Sequence, residues 1–283
     1  MTTPIRLVEV GPRDGLQTEK AVIPTEIKVA FVDALSDCGF PEIEVSSFVS
    51  PTWVPQLADA AEVFERITRR PGVVYSALVP NERGLERALA ARVDKVAVFT
   101  AATESFARKN INATIAESIE RFRPITGRVE LPVRGYLSTA FHCPYEGPVA
   151  PEAVVAVARQ LIEIGVAELS IGDTIGKATP DEVRALLAAL LPHVGGVGVA
   201  LHFHDTYGRA VANAKAAADL GVTVFDSSAG GIGGCPFAPG ATGNVSTQAL
   251  VALFGDRTGI DADRLDAAAA LVRPWLGRTP EGG

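Results

Sequence analysis

Eight short runs rich in apolar and β-branched residues recur along the 283-residue chain, and longer stretches with helical patterning separate them. The runs are RLVEV (6–10), EIEVSSF (42–48), VVYSALV (73–79), KVAVFT (95–100), VRGYLST (133–139), ELSIGD (168–173), GVALHFH (198–204) and VTVFDSS (222–228). Strands joined through helices run parallel to one another, and eight such units are the number that closes a (β/α)8 barrel. Between the runs lie TEIKVAFVDALSDCG, GRAVANAKAAADLG and PEAVVAVARQLIEIG; in the last, Val154, Val155, Ala158, Leu161 and Ile162 recur at helical spacing. Gly39, Gly165 and Gly221 stand where helices would close, and Pro151 and Pro180 near where they would start. The expected fold is therefore a single-domain (β/α)8 TIM barrel spanning residues 1–283. An open doubly wound sheet is the weaker alternative, because no G-x-G-x-x-G follows the first run. The chain shows no linker or low-complexity tract, and the tail RTPEGG is expected to fray.

Composition narrows the classes of function. A net charge of −7 and a pI near 5.2 argue against a nucleic-acid partner. Three cysteines, Cys38, Cys143 and Cys235, are an odd number with no framework spacing and read as free thiols in a reducing compartment. The opening MTTPIRLVEV lacks the charged and apolar blocks of a secretion signal. No apolar run reaches the roughly 18 residues of a membrane span. The expectation is a cytoplasmic protein with no membrane partner.

In such a barrel the chemistry gathers where strands end, and polar residues gather there in this sequence. Arg13 and Asp14 follow the first run, and Glu44, Ser46 and Ser47 lie on the second. Thr139 ends the fifth and Asp173 the sixth; His202, His204 and Asp205 stand at the end of the seventh. Alternate strand residues share a side, so His202 and His204 both face the barrel mouth while Phe203 faces away. Two neutral imidazoles there can share a metal ion, or form a buried hydrogen-bonded pair. With Asp14 and an amide oxygen from Asn244, the set is mixed nitrogen and oxygen without thiolate. That favours Mg²⁺ or Mn²⁺ as a Lewis acid and leaves Zn²⁺ open. Arg13 offers a guanidinium for a developing oxyanion, or an ion pair with Glu9 or Glu44. Glu44 either orients Arg13 or moves a proton. Asp173 either supports a ligand or caps the turn that follows it. The Gly/Pro-dense stretch GGIGGCPFAPGATGNVSTQ (230–248) is too long for a plain connector and reads as a lid. Cys235 at its head is a proton donor or acceptor, or a small buried hydrophobe.

Taken in order, VEVGPRDGLQ, IEVSSFVSPTWVPQLAD, ARKNIN, VRGYLSTAFHCPYEG, SIGDTIG, HFHDTYG and GGCPFAPGATGN resemble the 3-hydroxy-3-methylglutaryl-CoA lyase family over residues 5–254 or so. The resemblance implies a metal-dependent retro-Claisen cleavage of 3-hydroxy-3-methylglutaryl-CoA to acetyl-CoA and acetoacetate, in leucine breakdown, by a homodimer. It implies that Asp14, His202, His204 and Asn244 bind the cation. Arg13 would stabilise the acetyl-CoA enolate and Cys235 would protonate it, with Glu44 and Asp173 at family positions near the site. Lys20, Arg108, Lys109 and Asn110 are the candidates for the CoA phosphates. His142 stands where the family more often has a small residue, so a reshaped pocket wall and a longer 3-hydroxy-3-alkylglutaryl-CoA substrate are both expected alternatives. Condensing enzymes of the isopropylmalate or homocitrate synthase type carry an acidic residue after RDG and Asn-Asp after the second histidine; this chain has Leu16 and Asp205-Thr206. A silent barrel that only binds metal or CoA is opposed by the intact Arg13, Asp14 and Cys235 set.

Overall fold

A computed structural model describes residues 3–233 and 243–277. Eight strands, β1 (Arg6–Glu9), β2 (Glu42–Ser47), β3 (Val74–Leu78), β4 (Lys95–Ala101), β5 (Val133–Ser138), β6 (Glu168–Asp173), β7 (Gly198–Phe203) and β8 (Val224–Ser227), form one closed parallel barrel. Every strand falls on one of the eight runs. β8 returns to β1 with Arg6 opposite Val224 and Val8 opposite Asp226, which excludes the open sheet.

Ten helices cover the barrel: α1 (Thr25–Ser36), α2 (Ala60–Arg66), α3 (Glu82–Ala90), α4 (Glu104–Ile111), α5 (Ile115–Arg128), α6 (Pro151–Glu163), α7 (Pro180–Leu190), α8 (Ala210–Asp219), α9 (Thr247–Phe254) and α10 (Ala262–Val272), counted among the described residues. Among those residues no helix is long and apolar enough to cross a membrane. Pro151 and Pro180 occupy first turns, where their missing N–H leaves nothing unsatisfied. Thr179 and Glu182 form a reciprocal cap at the start of α7. Gly39 and Gly165, both at φ +98°, close α1 and α6 in a conformation that costs other residues strain. One feature escapes helical periodicity: after β5, His142–Cys143 pairs antiparallel with Gly147–Pro148.

Strand alternation sorts the side chains. Leu7, Ile43, Val96, Val98, Leu169, Ile171, Leu201 and Phe225 are all fully buried in the apolar layer, each contributing about 1.5–3 kcal/mol by its burial. The opposite parity faces the barrel axis and is largely ionic: Arg6, Glu42, Lys95, Arg134, Glu168 and Asp226. The apolar core is thus the shell between strands and helices, and the axis is left for charge.

Candidate active site

The first ligand position is built by the turn after β1. Asp14 N–H and Gly15 N–H both donate to the Val10 carbonyl, at 2.8 and 3.2 Å, closing a wide turn of the kind found at functional sites. A side chain at Gly11 would place Cβ 2.5 Å from Glu9 Oε1 and displace that carboxylate from its donors. The buried Glu9 carboxylate accepts the N–H groups of Gly11 (2.8 Å) and Ala229 (2.9 Å) and the Thr247 hydroxyl (2.8 Å). It thereby ties the Asp14 turn to the segments that follow β8.

His202 lies on β7, and His204, just beyond its end, forms an isolated bridge with Asn244. Ligand atoms of Asp14, His202 and His204 all lie within 4.8 Å of one another. His202 turns Nε2 toward Asp14 Oδ2 (3.9 Å), while its Nδ1 lies 3.1 Å from Asp226 Oδ2. Asn244 donates Nδ2 to Asp14 Oδ2 (2.9 Å) and to the Ile232 carbonyl (3.2 Å). Among the described residues, two buried atoms there lack hydrogen-bond partners, His204 Nδ1 and Asn244 Oδ1. Leaving such groups unpaired costs about 1–3 kcal/mol each, and a divalent cation among a carboxylate, two imidazoles and an amide oxygen fits both. Gly233, at φ +124°, allows Asn244 this position: a Cβ there would meet its Nδ2 at 2.8 Å.

Electrostatics keep the cluster ready for a cation. Burial opposes ionisation of Asp14, but Arg13 and the two histidines outweigh it and bring the carboxyl down to about 2. Burial, aided by His202, pushes the His204 imidazole down to about 4, so at neutral pH it carries a lone pair. Burial also disfavours charged His202, but its bond to Asp226 and the Asp14 charge reverse this and raise it. Arg13 donates Nε to Glu44 at 2.6 Å and Nη1 to Asp14, and lies 5.1 Å over the Tyr136 ring. Burial works against its charge, but the Glu44 and Asp14 carboxylates hold the guanidinium well above its ordinary value. Glu44 also accepts the Tyr136 hydroxyl at 3.0 Å. A shift in β2–β3 pairing between Glu44 and Ser46 marks the local irregularity beside this group. Of the two partners open to Arg13 in the sequence, the structure gives it Glu44 and not Glu9.

Other expected residues fall elsewhere. Asp173 is opposite Phe203 across β6–β7, whereas Gly172 is opposite His202, so Asp173 has the outward parity. Its two oxygens accept the N–H groups of Lys177 (3.0 Å) and Ala178 (3.1 Å), and it caps the turn rather than joining the cluster. His142 corrects a second expectation: its Nε2 pairs with Glu182 at 2.9 Å, and it is not among the residues lining the cavity. Cys235 lies outside the described residues, as does the middle of the expected lid. Cys38 is buried in the core, and Cys143 is buried beside Thr103.

A cavity of about 650 Å³ opens above the cluster, with Arg13, Asp14, His202 and His204 in its floor. Leu78, Phe99, Phe106, Ile111 and Leu137 give it an apolar wall, and Trp53, Asn110 and Arg121 stand in its lining too. Of the four residues expected at CoA, Asn110 alone lines this cavity. Lys20 lines an adjoining groove that shares Gln17, Thr18, Trp53 and Val54 with it. Arg108 faces Glu104 at 3.9 Å, and the Lys109 ammonium sits 3.6 Å over the Tyr145 ring. Sequence reading missed Tyr136, Arg134, Ser170 and Asp226. Asp226 had a signal: it shares strand parity with His202, its neighbour across β7–β8.

Fold and site together define a class: a closed (β/α)8 barrel with an acid–histidine cluster beside a buried arginine at the C-terminal mouth. Comparison with known proteins narrows it. The HMGL-like family profile matches residues 4–272. A 3-hydroxy-3-isohexenylglutaryl-CoA/hydroxymethylglutaryl-CoA lyase from Pseudomonas aeruginosa is 49% identical over 281 residues, covering 97% of this chain and 94% of that protein. The crystal structure of an HMG-CoA lyase from Brucella melitensis is 50% identical with a TM-score of 0.95, covering 98% of this chain and all of that one. An HMG-CoA lyase from Acinetobacter baumannii, solved with coenzyme A and 3-methylmalate, is 35% identical with a TM-score of 0.91, covering 97% of this chain and 92% of that one. The chain belongs to the HMGL-like family.

Proposed function

We propose that this protein is a carbon–carbon lyase that cleaves 3-hydroxy-3-methylglutaryl-CoA to acetyl-CoA and acetoacetate, with residues 1–283 acting as one catalytic domain. The observation that carries this reading is the convergence of Asp14, His202 and His204 beside Arg13 at the floor of a cavity. Retro-Claisen cleavage needs a base for the hydroxyl proton, which Asp14 or a histidine of the cluster would supply, a sink for enolate charge and a proton source for the departing carbon. Asp14, His202, His204 and Asn244 would hold a divalent cation, Mg²⁺ or Mn²⁺ by their hard donor set. When bound, that ion supplies Lewis-acid polarisation of the substrate's oxygens. Arg13, fixed by Glu44 and by the Tyr136 ring, presents a preorganised guanidinium to the enolate oxygen. Cys235 donates the proton to the departing carbanion. Asp173 supports the site through the turn it caps. The acyl-CoA lies along the cavity past Asn110 and Arg121, with Lys20 in the adjoining groove and Arg108 and Lys109 at the outer edge for its phosphates.

A second reading has its own support. The apolar wall of Leu78, Phe99 and Leu137 would accept a 3-alkyl branch longer than methyl, in line with the substrate named for the Pseudomonas relative. A cytoplasmic homodimer acting in leucine breakdown is the setting this reading expects; the buried thiols of Cys38 and Cys143, unpaired among the described residues, suit a reducing compartment.

The test is product analysis with Mg²⁺ and a thiol reductant across a panel of 3-hydroxy-3-alkylglutaryl-CoA thioesters. Acetoacetate from the methyl compound supports the first reading, and faster turnover of long-branched members the second. Consumption of acetyl-CoA with a 2-oxo acid would replace both with a synthase, and binding without turnover would reduce the protein to a binding barrel.

A further inference from the structure

Barrel interiors of this fold are normally filled by layers of branched aliphatic side chains. Here the layer directly beneath His202 is ionic. Arg134 of β5, only 1% exposed, donates Nη2 to Asp226 Oδ1 at 2.5 Å. Ser170 of β6 donates its hydroxyl to Asp226 Oδ2 at 2.8 Å, and His202 Nδ1 lies 3.1 Å from that same oxygen. One layer lower, Lys95 donates to Glu42 (2.9 Å) and Glu168 (2.8 Å), and Arg134 Nε approaches Glu168 at 3.3 Å.

Burying an ion pair is costly, and replacing the whole pair with well-packed hydrophobic residues is often neutral for stability. The arrangement does have a geometric effect. A carboxylate facing Arg134 accepts hydrogen bonds and does not donate them. Asp226 therefore accepts a hydrogen bond from the Nδ1–H of His202, which orients the ring with Nε2 turned toward Asp14 Oδ2. An imidazole held by a carboxylate in this way is a better-oriented and more basic metal ligand. Without the Arg134 contact, Oδ1 of Asp226 loses its partner and the carboxylate is held through Oδ2 alone, by Ser170 and His202, so the orientation of His202 is less firmly fixed.

We infer that Arg134 is a positioning residue for cation capture, acting through Asp226 on His202 from one layer beneath the site. The inference rests on the reading that Asp14, His202, His204 and Asn244 hold a divalent cation. The test is titration of the full-length, substrate-free protein with Mn²⁺, followed by electron paramagnetic resonance, with thermal unfolding of each cation-free variant recorded in parallel. Arg134→Met is expected to weaken Mn²⁺ binding by about 10–100-fold, and Arg134→Lys to recover part of the loss. Lys95→Met, in the same ionic column but not touching Asp226, is expected to lower the melting temperature while leaving the Mn²⁺ dissociation constant unchanged. Ser170→Ala removes a smaller donor from Asp226 and is expected to weaken Mn²⁺ in the same direction, which keeps the idea testable if Arg134→Met does not fold. An unchanged Mn²⁺ dissociation constant in Arg134→Met, or in Ser170→Ala where that variant stands in, overturns the inference. An equal loss in Lys95→Met does so as well. His204→Ala separates the two levels: if it binds Mn²⁺ as tightly as the wild type, the cation site itself is misplaced.

Discussion

The mouth and the floor of the barrel interior are made from the same kinds of residue and arranged oppositely. At the floor, Lys95 faces two carboxylates, and Arg6 and Arg134 close on Glu168. At the mouth, among the described residues, His204 Nδ1 and Asn244 Oδ1 are buried with no hydrogen-bond partner, and Asp14 pairs with Arg13. At the floor each charged group stands in an ion pair, although Arg6 Nε, Glu42 Oε1 and Arg134 Nε and Nη1 make no hydrogen bond among the described residues. At the mouth the unpartnered atoms are a ring nitrogen and an amide oxygen, both able to ligate a cation. This contrast is what conservation of a fold's stability and exposure of its chemistry look like within one column of side chains. It also means that one type of substitution, removal of a buried charge, should have different consequences at the two ends.

The largest effect should come at the mouth. Asp14→Ala is expected to abolish divalent-cation binding and turnover together, and Arg13→Met to lower kcat by about 10²–10³-fold, both with circular dichroism unchanged. A variant that lost its fold instead would make the mouth behave as the floor does. Next comes the floor: Lys95→Met leaves Glu42 and Glu168 without their shared cation and should cost about 3–5 kcal/mol in denaturant unfolding, while the folded fraction keeps its kcat. Tyr136→Phe lies between the two regions. It removes one hydrogen bond to the Glu44 carboxylate and should lower turnover by about tenfold, as loss of one charged hydrogen bond of ~1.4 kcal/mol would.

A fourth measurement concerns pH. Burial pushes the Glu9 carboxyl up to about 7 from an ordinary 4.5, against the pull of its Ala229, Thr247 and Gly11 donors. The folded state therefore holds a proton that the unfolded state releases across that interval. The stability this group contributes is fully present below about pH 4.5 and is lost as pH rises through 7. Unfolding free energies of Glu9→Gln, compared with wild type at pH 5 and 7.5, should fall less over that interval; an identical fall in both would remove Glu9 as the cause. The smallest effect is expected at His142→Ala, outside the cavity: KM unchanged and stability within about 0.5 kcal/mol of wild type.

Much of this was legible before any coordinates. All eight strands coincide with runs that read as strands, because a parallel barrel strand is a short apolar segment bounded by loop residues. Asp14, His202 and His204 were legible because strand ends and i, i+2 spacing fix where side chains point. Parity combined with inter-strand pairing separates Asp173 from Asp226, since the first shares a side with Phe203 and the second with His202. That step requires the register between strands, which no single run contains. Arg134 and Lys95 stood as charges inside apolar runs, a signal with no partner visible until the barrel closed. His142 was misjudged because its ion pair with Glu182 joins segments 40 residues apart.

Asn244 and Asp14 meet at 2.9 Å across 230 residues of chain, brought together because the last strand docks on the first. A nascent polypeptide emerging from the ribosome owns its first acid early but cannot complete the pocket until Asn244, 230 residues later, has been synthesised. Activity should thus report on finished folding, and partially made chains should be chemically silent rather than weakly active.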